Sequence, residues 1–321
     1  MRRIVRFLLV AALLCGATWG LWSALHGHGR QLESLLDRPG ALPWLAAAVA
    51  VDAAGLVLGA LAWRYVLAGL GSPLGARATA RVFSAALAGK YLPGPLWNVA
   101  TSVHLGRRAG VPVSRMIGTY LLNSVVLVVT AAVVGMMTAP SLLGVRALWL
   151  APVLLLGAAL VWRPGLAATS ARLLGRVVRR PMPALRVDAS RLRTAMLLEC
   201  VSWLVWGMHL WFITVVLGVG GASAAFVCVG GFALAAAAGA LAVVVPDGAG
   251  VRELVLMAAL STVMPPPLAA AAALASRACC TVTEVLGAVL VLLVTRDRPR
   301  APTAGPSPST ERAQRPSADL R

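Results

Sequence analysis

The chain has 321 residues, 59% of them hydrophobic and only 12% charged, where soluble domains carry about half apolar and roughly a quarter charged residues. That balance excludes a soluble enzyme, and the stretches between its apolar runs are too short for the soluble domain of a single-span receptor. Lys+Arg 29 against Asp+Glu 11 gives +18, but the excess lies in short loops and at the termini. This is the positive-inside pattern of a membrane protein, and nucleic acid is not expected as a partner.

In chain order, apolar runs fall near residues 4–25, 42–63, 116–138, 148–162, 195–217, 223–245 and 267–294. The first opens with Arg2, Arg3 and Arg6 and reads as an uncleaved span with a cytoplasmic N-terminus. It has no small-x-small cleavage site, and Leu13-Leu14 stand before Cys15 where a lipoprotein signal wants a small residue. The next loop, 26–41, mixes Arg30 and Arg38 with Glu33 and Asp37 and is expected outside. Arg64, Arg77, Arg81, Arg107, Arg108 and Arg115 then all call for the inside.

Arg81 and Arg107 flank a short segment, 82–100, that contains Gly89, Pro93, Gly94 and Pro95. A straight crossing would leave one arginine cluster outside, and no continuous helix runs through those prolines. A re-entrant helix–turn–helix satisfies both constraints, because irregular backbone at membrane depth survives when it faces protein or a wet cavity. A second interrupted segment covers 247–264. The 163–193 loop carries eight arginines against Asp188 and is expected inside. Arg296, Arg298 and Arg300 put the C-terminus inside too, provided 251–264 crosses.

The fold class expected is therefore an all-α polytopic membrane protein, with about seven or eight transmembrane helices plus re-entrant or broken segments. It forms one transmembrane domain over 1–295 and a disordered, basic cytoplasmic tail over 296–321, rich in Pro, Ser and Arg. The five cysteines (Cys15, Cys200, Cys228, Cys279 and Cys280) all lie in apolar runs. Without C-x-x-C or Cys/His ligand spacing they predict neither a disulfide framework nor a metal site.

Three constellations carry the chemistry. In Gly89-Lys90-Tyr91-Leu92-Pro93-Gly94-Pro95 the helix breaks beside Lys90, the only lysine of the chain. Backbone N–H groups at the start of the following half-helix, with a full positive charge beside them, suit a phosphate or carboxylate. A lysine snorkelling from an ordinary kink is the plainer alternative. In Pro246-Asp247-Gly248-Ala249-Gly250-Val251-Arg252-Glu253 a second break gathers Asp247, Arg252 and Glu253, which at membrane depth need partners or water. The third is Arg277 with Glu284 in the last span, seven residues and about 10 Å apart on one face.

Arg277 and Glu284 either contact substrate or pair with another span, for instance with Asp52 or Glu253. Asp52, alone in the second span, joins the same set of intramembrane charges. Glu199 is placed nearer an interface. His209 and Asn123 read as interhelical hydrogen-bonders, and Trp44, Trp63, Trp149 and Trp162 as interface anchors. Broken helices in corresponding halves are the usual sequence pointer to a midplane transport site. No G-x-S-x-G, H-E-x-x-H or P-loop is present, so neither catalytic residue nor cofactor is expected.

Gly89-Lys90-Tyr91-Leu92-Pro93-Gly94, followed by Leu105-Gly106-Arg107-Arg108-Ala109-Gly110-Val111-Pro112, resembles the transmembrane family of the lysylphosphatidylglycerol synthases, a flippase-like group. Pro246 to Glu253 is similar to that family's P-G-G-x-G-x-R-E stretch, with Asp247 in place of a glycine. Arg277 and Glu284 fall where its last helix carries an arginine and an acid. The resemblance covers roughly residues 5–295. It implies the membrane module without the soluble aminoacyltransferase domain, hence no lysylphosphatidylglycerol synthesis by this chain alone.

The function the resemblance implies is binding and flipping of a phospholipid or lipid-linked intermediate across the cytoplasmic membrane. Lys90, Arg252 and Arg277, with Pro93, Gly94 and Gly248 at the breaks, would hold the phosphate. Asp52, Asp247, Glu253 and Glu284 would balance them. An anionic phospholipid or polyprenyl-phosphate-linked molecule is the expected partner, and a homo-oligomer is left open. A lipid-modifying membrane enzyme and a scaffold acting through the 163–193 loop are the alternatives.

Overall fold

The structure is a computed structural model and describes residues 40–89, 97–163, 187–242, 248 and 250–295. The expected first span 4–25, the turn with Lys90, Pro93 and Gly94, most of the 163–193 loop, Asp247 and the tail 296–321 lie outside the described residues. The described elements are all helical. They are α1 (Ala41–Gly69), α2 (Ala76–Gly89), α3 (Trp97–Arg108), α4 (Val113–Gly135), α5 (Ala139–Leu143) running through a 3-10 stretch (Gly144–Leu150) into α6 (Ala151–Trp162), α7 (Ala189–Val216), α8 (Ala222–Leu241), α9 (Val251–Leu260) and α10 (Pro266–Val294).

Among the described residues, six runs are long and apolar enough to cross a membrane: α1, α4, Ala139–Ala159, α7, α8 and α10. The third is the expected 148–162 span, begun nine residues earlier and built on an irregular first half. Large apolar side chains point outward all round, among them Val57, Leu155, Leu286 and Leu290, while Asp52, Glu199, His209 and Glu284 are buried. That inverted pattern is the one hydrocarbon solvent imposes.

Small residues set the packing. Gly55 and Ser202 stand at the middle of α1 and α7, and Ser202 Oγ donates to Gly55 O at 2.8 Å. A Cβ on Gly55 would lie 2.7 Å from Trp206 Cβ and 2.9 Å from Trp206 Cα, so only glycine lets the two helices approach this closely. Phe232 on α8 fills the space beyond, against Trp203, Trp206 and His209.

Arginines mark one end of the bundle. Arg64 Nε reaches Leu74 O, Arg115 Nη1 reaches Gly71 O and Arg191 Nη1 reaches Ala68 O, at 2.6 to 2.9 Å. Ala68 O lies in the last turn of α1 and Gly71 O and Leu74 O just beyond it, where cations complement a helix C-terminus. Arg77, Arg81 and Arg108 line a groove at the same end, so α2 and α3 run antiparallel and return to where they began. Their 14 and 12 residues span about 21 and 18 Å, short of the roughly 30 Å of a hydrocarbon core.

The second interrupted segment behaves likewise from the opposite end. Gly231 of α8 packs on Ala259 of α9, and Gly248 on Gly239, so these helices also run antiparallel. Gly248 has φ +62°, and a Cβ there would strike Gly239 Cα, leaving glycine as the residue that fits. The proviso that 251–264 crosses is corrected here. α9 has ten residues, about 15 Å, and then the chain turns at 261–265 into α10. Arg252 of α9 meets Cys280, the middle residue of the 29-residue α10. The start of α9 therefore stands level with the middle of α10, and α9 runs back along the second half of α8. Two hairpins enter the bundle from opposite ends.

Candidate functional site

The hairpin tips share one cavity of about 670 Å³. Phe83, Leu87 and Gly89 of α2 and Asn98 and Ser102 of α3 form one wall, and Gly239 to Ala242, Gly248 and Arg252 form another. α1 contributes Leu56, Gly59 and Trp63; α4 contributes Met116, Tyr120, Asn123 and Ser124; α7 contributes Glu199, Trp203 and Trp206. Paired broken helices lining one mid-depth cavity is the arrangement secondary transporters use for a substrate, and the volume lies within the usual range for a small-molecule site, about 300–1,000 Å³.

Most of the polar lining has partners. Ser102 Oγ donates to Asn98 O and Ser124 Oγ to Tyr120 O, each one turn back on its own helix. Trp203 Nε1 donates to Thr130 Oγ1 at 3.0 Å, and Trp203 stacks on Trp206 with centroids 5.7 Å apart. Asn123 differs: its Oδ1 is buried without a hydrogen-bond partner, so it joins no interhelical bond as an acceptor and stands in the cavity wall as an unfilled one. Such an atom costs about 1–3 kcal/mol unless something donates to it.

Of the expected site residues, Arg252 and Gly248 line the cavity. The guanidinium of Arg252 lies 4.8 Å from the Phe232 ring centroid and donates to Cys280 Sγ at 3.5 Å. Arg277 and Glu253 form a direct ion pair, half-buried on both sides, the pairing weighed above as the alternative to substrate contact. Glu253 also accepts from Gly250 N at 2.6 Å, closing the first turn of α9. Neither residue is part of the cavity lining. Glu284 is buried, and so is Asp52, which accepts from Trp206 Nε1 at 2.5 Å and Cys280 Sγ at 3.2 Å. Both stand behind the wall.

The sequence reading undervalued one face. Glu199 lies eleven residues into the 28-residue α7, buried and lining the cavity, not near an interface. Glu199, Trp203 and Trp206 are spaced four and three, one stripe of a helix, and that spacing was the available signal. Trp63 is buried and lines the cavity too, whereas Trp149 and Trp162 are exposed, Trp149 half-way along the run Ala139–Ala159.

The sequence model of the lysylphosphatidylglycerol synthase TM region matches residues 4–288. The chain belongs to that family. It is thus a multi-pass membrane protein of the lysylphosphatidylglycerol synthase TM family, and the breaks at 89–97 and 242–250 fall inside the matched region. No curated protein is matched closely enough to count as a relative.

Proposed function

We propose that this family member takes the headgroup of an anionic phospholipid or lipid-linked intermediate into the chamber between its hairpins and passes it between leaflets. The observation that carries the reading is the chamber itself: both hairpin tips, at mid-depth, around one cavity with a cation in its wall. Arg252 supplies charge for a phosphate, and Lys90, at the α2–α3 break, is assigned the same role. Asn123 Oδ1 and Glu199 supply acceptors for hydroxyl or amine groups of a headgroup. The acyl chains stay in lipid, because the cavity holds a headgroup and not a whole lipid.

The arginine-rich end takes the cytoplasmic side by the positive-inside rule, so the α2–α3 hairpin opens from the cytoplasm and the α8–α9 hairpin from outside. An enzyme reading has less to stand on, since among the described residues no hydrogen bond joins a nucleophile to a base in the cavity lining. The test is leaflet exchange of labelled phospholipids in vesicles carrying the full chain. Wild-type protein is expected to speed exchange, and Arg252→Ala and Lys90→Ala to abolish the gain. Equal exchange by wild type and both variants overturns the role of these cations.

A further inference from the structure

Behind the cavity wall, three long helices bring together a carboxylate, an imidazole and a thiol. Asp52 of α1, His209 of α7 and Cys280 of α10 are all buried, and their ligand atoms lie within 4.8 Å of one another. Cys280 Sγ stands 3.2 Å from Asp52 Oδ1 and 3.8 Å from His209 Nε2. We infer that this cluster is a binding site for a divalent transition-metal ion of the zinc type, a function separate from the flipping proposed above.

Four features support the assignment. Zinc bonds of roughly 2.3 Å to sulfur and 2.0–2.2 Å to nitrogen or oxygen, at tetrahedral angles, place the ligand atoms about 3.6 Å apart. The separations at Cys280 bracket that value, so small side-chain shifts would accommodate the ion. His209 Nδ1 is engaged by the Trp206 carbonyl, which must accept, so Nδ1 carries the proton. Nε2 then presents its lone pair towards Cys280 and Ser276, as second-shell carbonyls arrange for metal-bound histidines.

The third feature is Asp52 Oδ2, which is buried without a hydrogen-bond partner. A carboxylate oxygen left empty at the depth of a bilayer centre is costly, and a cation is the natural occupant. The fourth is the donor set: a carboxylate, an imidazole and a thiolate are ligands zinc takes, and the two anions match its charge, with the Arg252 guanidinium beside Cys280 Sγ as a further cation at the edge of the cluster. Ser276, one turn before Cys280, donates its hydroxyl to Nε2 at 2.8 Å, a bond that an ion at Nε2 replaces. On binding, the Cys280 thiol proton, which is now donated to Asp52, leaves to the chamber. Access is short, because Arg252 and Trp206 both line the chamber and both touch the cluster.

Short-range spacing could not show this site, since its residues lie 228 and 71 positions apart. The experiment uses the full chain with a non-histidine affinity tag, stripped with chelator in detergent and titrated with Co²⁺. The expected result is one equivalent bound, with a thiolate-to-cobalt charge-transfer band that Zn²⁺ displaces. Cys280→Ser should lose the band, while Cys279→Ser and Cys200→Ser keep it. Asp52→Asn should bind about tenfold more weakly or worse. A wild-type protein without the band, or a band that persists in Cys280→Ser, overturns the site. Should Cys280→Ser fail to insert, the wild-type titration and Asp52→Asn still decide.

Discussion

Gly55 offers the sharpest test of the packing, because a twin position serves as its control. Both Gly55 and Gly59 lie in α1 and face α7. A Cβ at Gly55 would fall 2.7 and 2.9 Å from the Cβ and Cα of Trp206, whereas one at Gly59 meets only Ser202 Oγ, at 3.6 Å. Ordinary carbon contacts start near 3.5 Å, so Gly55→Ala must push the α7 backbone away by most of an ångström. Overpacking of this kind costs about 1–3 kcal/mol. The same shift strains the Trp206–Asp52 hydrogen bond and the Ser202–Gly55 bond. Gly59→Ala gains the alanine preference for helix, up to about 1 kcal/mol, with no compensating clash. Gly55→Ala gains the same preference, which therefore cancels, so it should be less stable than Gly59→Ala by the overpacking cost of about 1–3 kcal/mol. Unfolding by SDS titration, followed by labelling of the buried Cys228 and Cys280 thiols, measures the difference. Equal stabilities, or a less stable Gly59→Ala, would refute the close approach of α1 and α7.

Two further outcomes follow from the fold. In a double-mutant cycle on Arg277 and Glu253, either single change to alanine leaves a half-buried charge without its partner, while the double change removes both; a coupling of about 0.5–3 kcal/mol is expected in SDS unfolding, and additive singles would mean the pair contributes nothing. In a cysteine-less background, cysteines at Ala76 and Ala109 should react with an impermeant maleimide added on one side of the membrane, and cysteines at Ser223 and Ser261 only from the other. Labelling of 76 and 109 from opposite sides would make α2–α3 a crossing.

The helices were legible because membrane spans announce themselves by length and hydropathy, and the first hairpin was legible from charge. Arg81 and Arg107 cannot both stay on one side unless the chain between them turns back. The second hairpin lacks that signal, since no arginine marks the outer turn at 261–265, so the sequence leaves 251–264 open between a crossing and a re-entrant segment. What arginine did not mark, Gly231, Gly239 and Gly248 did through packing, but a glycine in an alanine-rich run does not say which helix will press against it. The site split along similar lines. Charges inside apolar runs marked Asp52, Arg252, Glu253, Arg277 and Glu284 as residues needing partners, and Arg252, Glu253, Arg277 and Asp52 Oδ1 have them, while Asp52 Oδ2 is buried without one. Which of them would face the cavity depends on helix rotation and on helices remote in sequence, and neither is written in local spacing.

Arg252 and Glu253 show what that rotation decides. Adjacent residues on a helix point about 100° apart, so the first turn of α9 sends Arg252 to the cavity wall beside Cys280 and Glu253 to Arg277, away from the cavity. Glu253 is committed twice, closing the helix start through Gly250 N and holding Arg277. A helix that begins at mid-depth leaves its first N–H groups without intrahelical partners, and in lipid each such group is expensive. Glu253 meets part of that need, and Arg277 keeps the carboxylate paired while it does so. This division leaves Arg252 as the cation that the α8–α9 hairpin turns towards the cavity. The family's R-E pair, read along the sequence as one charged motif, divides in space into a residue that builds the tip and a residue that uses it.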